Sequence, residues 1–294
     1  MIELNQYNLT ASELKVIEQL LTSVGTNPSL EQLWQLMDQV WLDCGCNNQQ
    51  VDEQLYSYFY SHPIWLLNGI FIEQDDVSMG HRQAITASVT QLSPERIVDF
   101  GGGFGTLARL MATALPTTEI DICEPYPPRY GLESCRLHQN IHFVPKLLPH
   151  HYDVLVSTDV LEHVPDPLAL LADMTASVKQ GGHLIIANCF YPVIKCHLPS
   201  TFHFRHSFDR FCGELGLDRI DPCKGSHATI YCRNRVVIPD WVRLRRLEQR
   251  SQILFSWLEW EQKFLAPWKI RFRRGIRQPL YYPKKLLSHF KTYL

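Results

Sequence analysis

A short run of glycines constrains the fold of this chain more than any other stretch. Residues 96–100 read as a buried strand with Asp99 near its carboxyl end, and the turn that follows contains Gly101, Gly103 and Gly105. Apolar residues then recur at helical spacing. Glycine lets the backbone turn sharply and lets a ligand approach it, because no Cβ stands in the way. The pattern predicts a strand, a turn and a helix, with a ligand at the carboxyl edge of the sheet.

Taken alone, such a glycine run fits an NAD-binding turn, a phosphate loop or a plain tight turn. The phosphate loop is excluded because no Gly-Lys-Ser/Thr ending follows. Asp99 disfavours the NAD-binding turn, since dinucleotide sites usually carry an apolar residue there. The run 119–124 alternates like a second strand and ends in Glu124. A carboxylate at that place could hold a ribose diol, because it accepts two hydroxyl hydrogen bonds at once.

Strand and helix patterns alternate through the middle of the chain, which argues for a parallel sheet. A closing antiparallel pair of strands follows. The predicted fold is therefore α/β, a doubly wound, mostly parallel seven-stranded sheet with helical additions at both ends. The predicted strands are 96–100, 119–124, 141–144, 152–157, 183–188, 217–220 and 228–234. The predicted helices of the core are 105–115, 129–138, 166–179 and 208–215.

Helix patterns and charge divide the chain into three parts. We predict a helical N-terminal cap over 1–78, a core over 79–238 and a basic, aromatic-rich helical extension over 239–294. From residue 233 to the end the chain has 15 Lys and Arg against 4 Asp and Glu, whereas the rest has 13 against 26. A basic tail on an acidic body favours an internal contact or an anionic partner. We expect docking on the N-terminal helices, with peripheral membrane contact as the alternative.

Other features of the composition narrow the class of protein. No apolar run has the length of a membrane span, and no signal peptide is visible at the N-terminus. The nine cysteines are an odd number, which together with the missing signal favours reduced thiols in a cytoplasm. Cys44 and Cys46 do not have the spacing of a zinc pair. We therefore expect a cytoplasmic protein without a metal. Membrane association through the basic tail is the alternative.

A third stretch, Thr158-Asp-Val-Leu-Glu-His163, follows the fourth predicted strand. With the glycine turn and Glu124, it makes residues 80–234 resemble class I S-adenosylmethionine (SAM) methyltransferases, closest to the small-molecule methylases of the ubiquinone and menaquinone type. The resemblance implies SAM as the cofactor and a set of cofactor-binding residues. These are Asp99, Gly101, Gly103, Gly105, Glu124, Pro125, Thr158 and Asp159.

The same turn bears on the methyl acceptor. Asp159 is not followed by the Pro-Pro-Tyr of DNA and protein-amide N-methylases, which disfavours nucleic acid. We predict a small-molecule, sugar or glycan, or natural-product acceptor, with methylation of oxygen favoured over nitrogen. An oxygen nucleophile needs a base with a pKa near the working pH, and histidine supplies it. The expected catalytic residues are His203, His206 and His163, and the expected substrate-binding residues are Tyr191, Lys195 and Arg205.

His203 is the favoured base, because strand-like alternation would turn it away from its phenylalanine neighbours at 202 and 204. Two other functions remain open. A catalytically degenerate SAM-binding or scaffold protein is opposed by the intact glycine motif and Glu124. An NAD-dependent oxidoreductase is opposed by Asp99 and by the Leu-Glu-His turn. No acid follows the third strand, so we expect backbone near Lys146 and Leu147 to meet the adenine amino group.

Overall fold

The computed structural model describes residues 2–260. The chain divides into two compact units, Met1–Trp241 and Val242–Leu294, and each is described by itself. The first unit contains the sheet and nine of the helices given below. The described part of the second consists of most of helix α10, Trp241–Trp260. The predicted helical extension over 239–294 thus lies outside the described residues from 261 onward.

Seven strands form one sheet in the order β3-β2-β1-β4-β5-β7-β6. Strands β1 to β5 run parallel, and β7 pairs antiparallel with both β5 and β6. This confirms the predicted mostly parallel seven-stranded sheet with its antiparallel ending. The strands are β1 Arg96–Phe100, β2 Glu119–Cys123, β3 Ile141–Phe143, β4 Tyr152–Thr158, β5 Val178–Ala187, β6 Leu217–Pro222 and β7 Thr229–Arg233.

The register of the sheet sets the position of the site. Asp99 on β1 pairs with Ile122 on β2 and with Val156 on β4. All three strands run in the same direction, so their carboxyl ends meet at one edge. Because β1 lies between β2 and β4 in the sheet, the glycine turn opens between the segments that follow those two strands. This is the crevice at which open α/β sheets bind ligands.

Helices pack against the sheet, and five of them precede its first strand in the chain. Thr10 and Ser29 each form a capping box, which fixes the start of the first two helices. The predicted boundary at 78 falls inside helix α5. The helices before the extension are α1 Ala11–Val24, α2 Leu30–Asp43, α3 Glu53–Tyr60, α4 Ile64–Gln74, α5 Asp76–Leu92, α6 Thr106–Ala114, α7 Arg129–Cys135, α8 Pro167–Ser177 and α9 Phe204–Glu214.

An apolar core joins the N-terminal helices to the glycine turn and to the loop after β5. Residues of α1 to α4 pack with Phe104 of the turn itself and with Ile194, Cys196 and Leu198 of the loop after β5. Each fully buried side chain of this kind stabilises the fold by about 1.5–3 kcal/mol. The helices therefore stand beside the carboxyl edge of the sheet and, with that loop, enclose the space above it.

Helix α9 begins earlier than predicted. It starts at Phe204 rather than at residue 208, and His203 is its N-terminal flanking residue. The argument from strand-like alternation for His203 is therefore wrong, because side chains here follow the helical period. Among the described residues, we find no helix with the length and apolar character needed to cross a membrane.

Candidate active site

A large cavity opens at the carboxyl ends of β1, β2 and β4, with a volume of about 1620 Å³. Pockets for drug-sized ligands hold about 300–1,000 Å³, so this cavity has room for two bound molecules. The N-terminal helices, the glycine turn, the turns after β2 and β4 and the loop after β5 supply its walls. Nine residues expected in the site line it: Asp99, Gly101, Gly103, Glu124, Pro125, Thr158, Asp159, His163 and Tyr191.

The glycine turn approaches the cavity with backbone in place of side chains. Gly101 has φ +72°, and a Cβ built there would stand 2.4 Å from Cγ2 of Val160. Gly103 has φ +48° and donates its N–H to Oε2 of Glu124 at 2.9 Å. Gly105 does not line the cavity. It precedes α6 with φ +77° and packs on Cys135, so its predicted contact with a cofactor is corrected to support of the turn.

Asp99 is buried under the turn, with 1% of its surface exposed. Burial and the nearby Glu124 carboxylate raise the pKa of Asp99 to about 7, against the attraction of the Arg82 charge. Its Oδ2 has no hydrogen-bond partner among the described residues. A buried carboxyl oxygen in the wall of a cavity is costly without a partner. A ligand with hydrogen-bond donors or a positive charge would supply one.

Glu124 stands at the end of β2 on the opposite side of the turn. Its two oxygens accept hydrogen bonds from the backbone N–H groups of Gly103 and Tyr126, each at 2.9 Å. Burial raises the pKa of Glu124, and these two hydrogen bonds oppose that rise. The carboxylate is thereby held in one orientation, and each oxygen keeps a lone pair for a further donor. Pro125 and Tyr126 continue the cavity wall beside it.

Asp159 follows β4 with φ +54°, and its Oδ1 is 3.1 Å from Nε2 of His227. The hydrogen bond to Asp159 raises the pKa of His227 above its usual value. Burial opposes ionisation of Asp159, but His227, His163 and Arg82 together leave the pKa of its carboxyl below the usual range. His227 comes from the turn between β6 and β7, and the sequence carried no signal that would place it here.

Two histidines stand together in the cavity wall, one from the turn after β4 and one from the loop after β5. The rings of His163 and His197 lie 4.8 Å apart at an angle of 79°. Nδ1 of His163 is 3.2 Å from the carbonyl oxygen of Cys196, and Nδ1 of His197 is 2.6 Å from that of Tyr191. Burial lowers the pKa of both rings, that of His163 to about 3. His197 is not among the histidines predicted as bases from the sequence.

Aromatic side chains form the wall beside these histidines. Tyr60 of α3 stacks on Trp65 of α4, with ring centres 5.2 Å apart, and lies nearly parallel to Tyr126 at 6.0 Å. Both Tyr60 and Trp65 meet the His163 ring edge-on. The N-terminal helices thus supply a flat apolar surface to the cavity.

His203 and His206, the two favoured catalytic histidines, are not among the residues that line the cavity. His203 is 3% exposed, packs 4.1 Å from the ring of Phe204, and has its pKa lowered by burial to about 4. His206 is exposed on α9. Their predicted placement at the reacting groups is therefore corrected, because His203 is packed in the interior beside Phe204 and His206 lies on the exposed surface of α9.

The three predicted substrate-binding residues differ in position. Tyr191 lines the cavity, and the guanidinium of Arg205 stacks on its ring at 3.7 Å. Arg205 also donates to the carbonyl oxygen of Phe190 at 2.8 Å, so it supports the loop and does not line the cavity. Lys195 does not line it either; its backbone N–H donates to Asp38 of α2. Direct contact of Arg205 and Lys195 with an acceptor is thereby corrected.

Comparison with known proteins agrees with this geometry. Residues 80–211 match a family model described as a methyltransferase domain. This chain carries a class I SAM-dependent methyltransferase domain. The match includes the glycine turn, Glu124 and the turn after β4, and the seven-stranded sheet around it is the Rossmann-like sheet of that class.

Two curated bacterial enzymes are similar to part of this chain. The ubiquinone biosynthesis O-methyltransferase of Vibrio cholerae serotype O1 is 27% identical over 131 residues, which are 42% of this chain and 54% of that protein. The enzyme of the same name from Yersinia pestis is 28% identical over 155 residues, 48% of this chain and 62% of that protein. The chain therefore spans about half the length of the first relatives it matches.

A solved structure of human N-acetylserotonin methyltransferase in complex with SAM is 15% identical to this chain. The alignment covers 69% of this chain and 67% of that protein, with a TM-score of 0.46. A likeness at this level carries no argument about the acceptor or the chemistry.

Proposed function

We propose that this protein transfers a methyl group from SAM to a hydroxyl oxygen of a small-molecule, glycan or natural-product acceptor. SAM supplies an electrophilic methyl group on a positively charged sulfur. The observation that carries the proposal is the pairing of Asp99 and Glu124 across the glycine turn. Asp99 is a buried carboxyl group whose Oδ2 has no hydrogen-bond partner among the described residues. Glu124 is a carboxylate oriented by two backbone N–H groups.

These residues fit SAM group by group. Glu124 is suited to hold the two ribose hydroxyls, because each of its oxygens keeps a lone pair. Asp99 is suited to accept from the ammonium group of the methionine part, which would pair its bare Oδ2. Gly101 and Gly103 let that part approach the backbone closely. Arg82, which lines the same wall, is placed to meet the carboxylate.

Oxygen as the methylated atom is supported by the histidines beside the aromatic wall. A neutral hydroxyl becomes a competent nucleophile when its proton is removed, and His163 and His197 stand at the cavity where that proton would leave. The two curated relatives described above are named ubiquinone biosynthesis O-methyltransferases. Positioning of acceptor and cofactor in one enclosed cavity would supply much of the rate, because methyl transfer is an in-line displacement.

The test is transfer of label. The full chain is incubated with SAM that carries a tritiated methyl group and with three probes in turn: catechol, a primary alcohol and an aromatic amine. We expect S-adenosylhomocysteine (SAH) to form together with labelled product, and catechol or the alcohol to be preferred to the amine. Binding of SAM without transfer to any probe class, including a cell extract fraction of small molecules, would favour the degenerate SAM-binding protein instead.

The pKa of Asp99 predicts a pH dependence of cofactor binding. The ammonium group of SAM is attracted by the ionised carboxyl and not by the protonated one. Since the pKa of Asp99 is about 7 in the free protein, the affinity should be full above pH 7. It should then fall by up to roughly tenfold per pH unit as the pH drops below 7. Calorimetry with SAM between pH 5.5 and about 8.5 measures this. In Asp99→Asn the affinity should be weak throughout and nearly independent of pH.

We also propose that α10 gives the protein peripheral contact with anionic membranes. Its exposed apolar residues include Ile253 and Trp257, with Arg246 and Arg250 exposed beside them. Serine at both apolar positions should weaken binding to vesicles of phosphatidylcholine with phosphatidylglycerol about tenfold or more, since each buried apolar side chain contributes about 1.5–3 kcal/mol. Sedimentation with vesicles measures it. The matched control is Leu137→Ser, an exposed leucine of the first unit, which should change nothing.

A further inference from the structure

Beneath the two cavity histidines lies a buried carboxyl group that the proposed cofactor site does not use. Glu162 is completely buried, and its Oε1 accepts from the backbone N–H of Cys189 at 2.7 Å. Its Oε2 has no hydrogen-bond partner among the described residues. One carboxyl oxygen of Glu162 and one ring nitrogen each of His163 and His197 lie within 4.8 Å of one another.

The hydrogen bonds of the two rings decide what these three groups can do. A backbone carbonyl oxygen only accepts, so Nδ1 of each histidine carries a hydrogen, and Nε2 of each neutral ring keeps a bare lone pair. The deprotonated carboxyl group of Glu162 likewise only accepts. The Glu162 carboxylate and the two Nε2 lone pairs belong to one buried cluster, and acceptors in such a cluster repel one another unless a proton or another small cation is held there.

The surrounding charges favour retention of a proton by this cluster. Burial, and after it the carboxylate of Asp159, raise the pKa of Glu162 to about 8. Burial lowers the pKa of His163 and His197, so both rings are neutral at pH 7. At neutral pH the proton of the cluster is therefore bound to the carboxyl group of Glu162. The titratable groups that interact with members of the cluster are Asp159, Asp38, Tyr60, Cys189 and Cys196.

We propose that Glu162, His163 and His197 form a proton-accepting site in which His197 takes the proton of the methyl acceptor and Glu162 sets how readily it does so. The inference rests on the proposed methyl transfer. The acceptor oxygen bonds to the methyl carbon while the carbon–sulfur bond breaks and its electron pair stays on sulfur. The acceptor's proton passes to Nε2 of His197. An ionised Glu162 stabilises the imidazolium, whereas a protonated one does not.

The role of Glu162 gives a pH profile with a defined sign. As the pH rises through about 8, Glu162 loses its proton and the cluster becomes a stronger base. The turnover rate should therefore rise between about pH 7 and 9 at saturating SAM. Glu162→Gln keeps the shape of the side chain but cannot ionise, so its rate should lose this alkaline rise.

Infrared spectroscopy of the SAH-bound full chain tests the resting state without turnover, because a protonated carboxyl group absorbs apart from a carboxylate. The difference spectrum between wild type and Glu162→Gln should contain a protonated-carboxyl band near neutral pH that disappears above about pH 8. Turnover with the probe that the wild type methylates fastest tests the transfer. His197→Asn retains a donor for the Tyr191 carbonyl and should lose roughly 10²–10⁴-fold in rate. The matched control His206→Asn, on exposed α9, should keep the wild-type rate.

The outcomes separate this inference from the proposed function. Absence of the Glu162 band, or a His197→Asn variant with near wild-type turnover, would overturn the proton-accepting site. So would a stoichiometric bound metal whose removal by a chelator abolishes turnover, because the shared cation would then be a metal. Failure of SAM to bind in calorimetry would instead overturn the methyl transfer, and it would do so even if the Glu162 band were present.

Discussion

Replacement of Glu124 by alanine is expected to weaken SAM binding by about 1.5–3 kcal/mol, the range for hydrogen bonds to a charged group. That free energy corresponds to roughly a 10- to 150-fold rise in Kd. The carboxylate is held by the backbone N–H groups of Gly103 and Tyr126, so its loss removes two acceptors for the ribose and also frees the turn. Isothermal titration calorimetry of the variant with SAM measures the effect.

The matched control for this prediction lies on the same strand. Glu119 begins β2 at the far edge of the sheet, where it is half exposed and paired with His142. Glu119→Ala removes the same side chain and should leave the Kd for SAM within about twofold. Unchanged affinity in a folded Glu124→Ala protein would contradict the assignment of this carboxylate to the ribose.

Replacement of Gly101 by alanine is expected to destabilise the fold by about 2–5 kcal/mol. The left-handed φ of +72° costs a residue with a Cβ about 1–2 kcal/mol. The new Cβ would also stand 2.4 Å from Cγ2 of Val160, a branched side chain that moves little, and overpacking of this kind costs about 1–3 kcal/mol. Chemical denaturation measures the loss, and SAM affinity should fall with it because the turn is displaced.

Gly181 separates the two causes. It has φ +80°, and nothing lies within 4 Å of a Cβ built there, so Gly181→Ala carries the backbone strain alone. It should cost only about 1–2 kcal/mol. The double variant Gly101→Ala with Val160→Ala should recover part of the stability lost in the single variant. Equal losses of stability in Gly101→Ala and Gly181→Ala, with no recovery in the double variant, would contradict this explanation. They would show that the close contact with Val160 does not require glycine at position 101.

Local patterns predicted the sheet and the cofactor side of the cavity because short stretches of chain determine them. The strand at 96–100 was predicted with its observed bounds, and β2 and β3 differ from prediction by one residue each. Asp99, Gly101 and Glu124 could be placed together because the carboxyl ends of neighbouring parallel strands meet at one edge. Their role in binding SAM remains a prediction.

The acceptor side could not be predicted in the same way, because distant segments form it. His197 reaches the cavity through a loop whose apolar residues pack among the N-terminal helices, and His227 arrives from the turn between β6 and β7. His203 was predicted to be the base because it follows β5 in the chain. In the structure it directly precedes the helix that begins at Phe204, and it is buried. Nothing in the local pattern of that loop distinguished the histidine that lines the cavity from the one that packs on Phe204.

The most direct test of the methyltransferase assignment is a calorimetric competition between two cofactors. The purified full chain is titrated at about pH 8 with SAM and with NAD⁺, and each is then titrated in the presence of the other. We expect SAM and SAH to bind at one shared site, and NAD⁺ neither to bind there nor to displace them. A folded protein that binds NAD⁺ at this site, or that gives no binding with SAM, would contradict it.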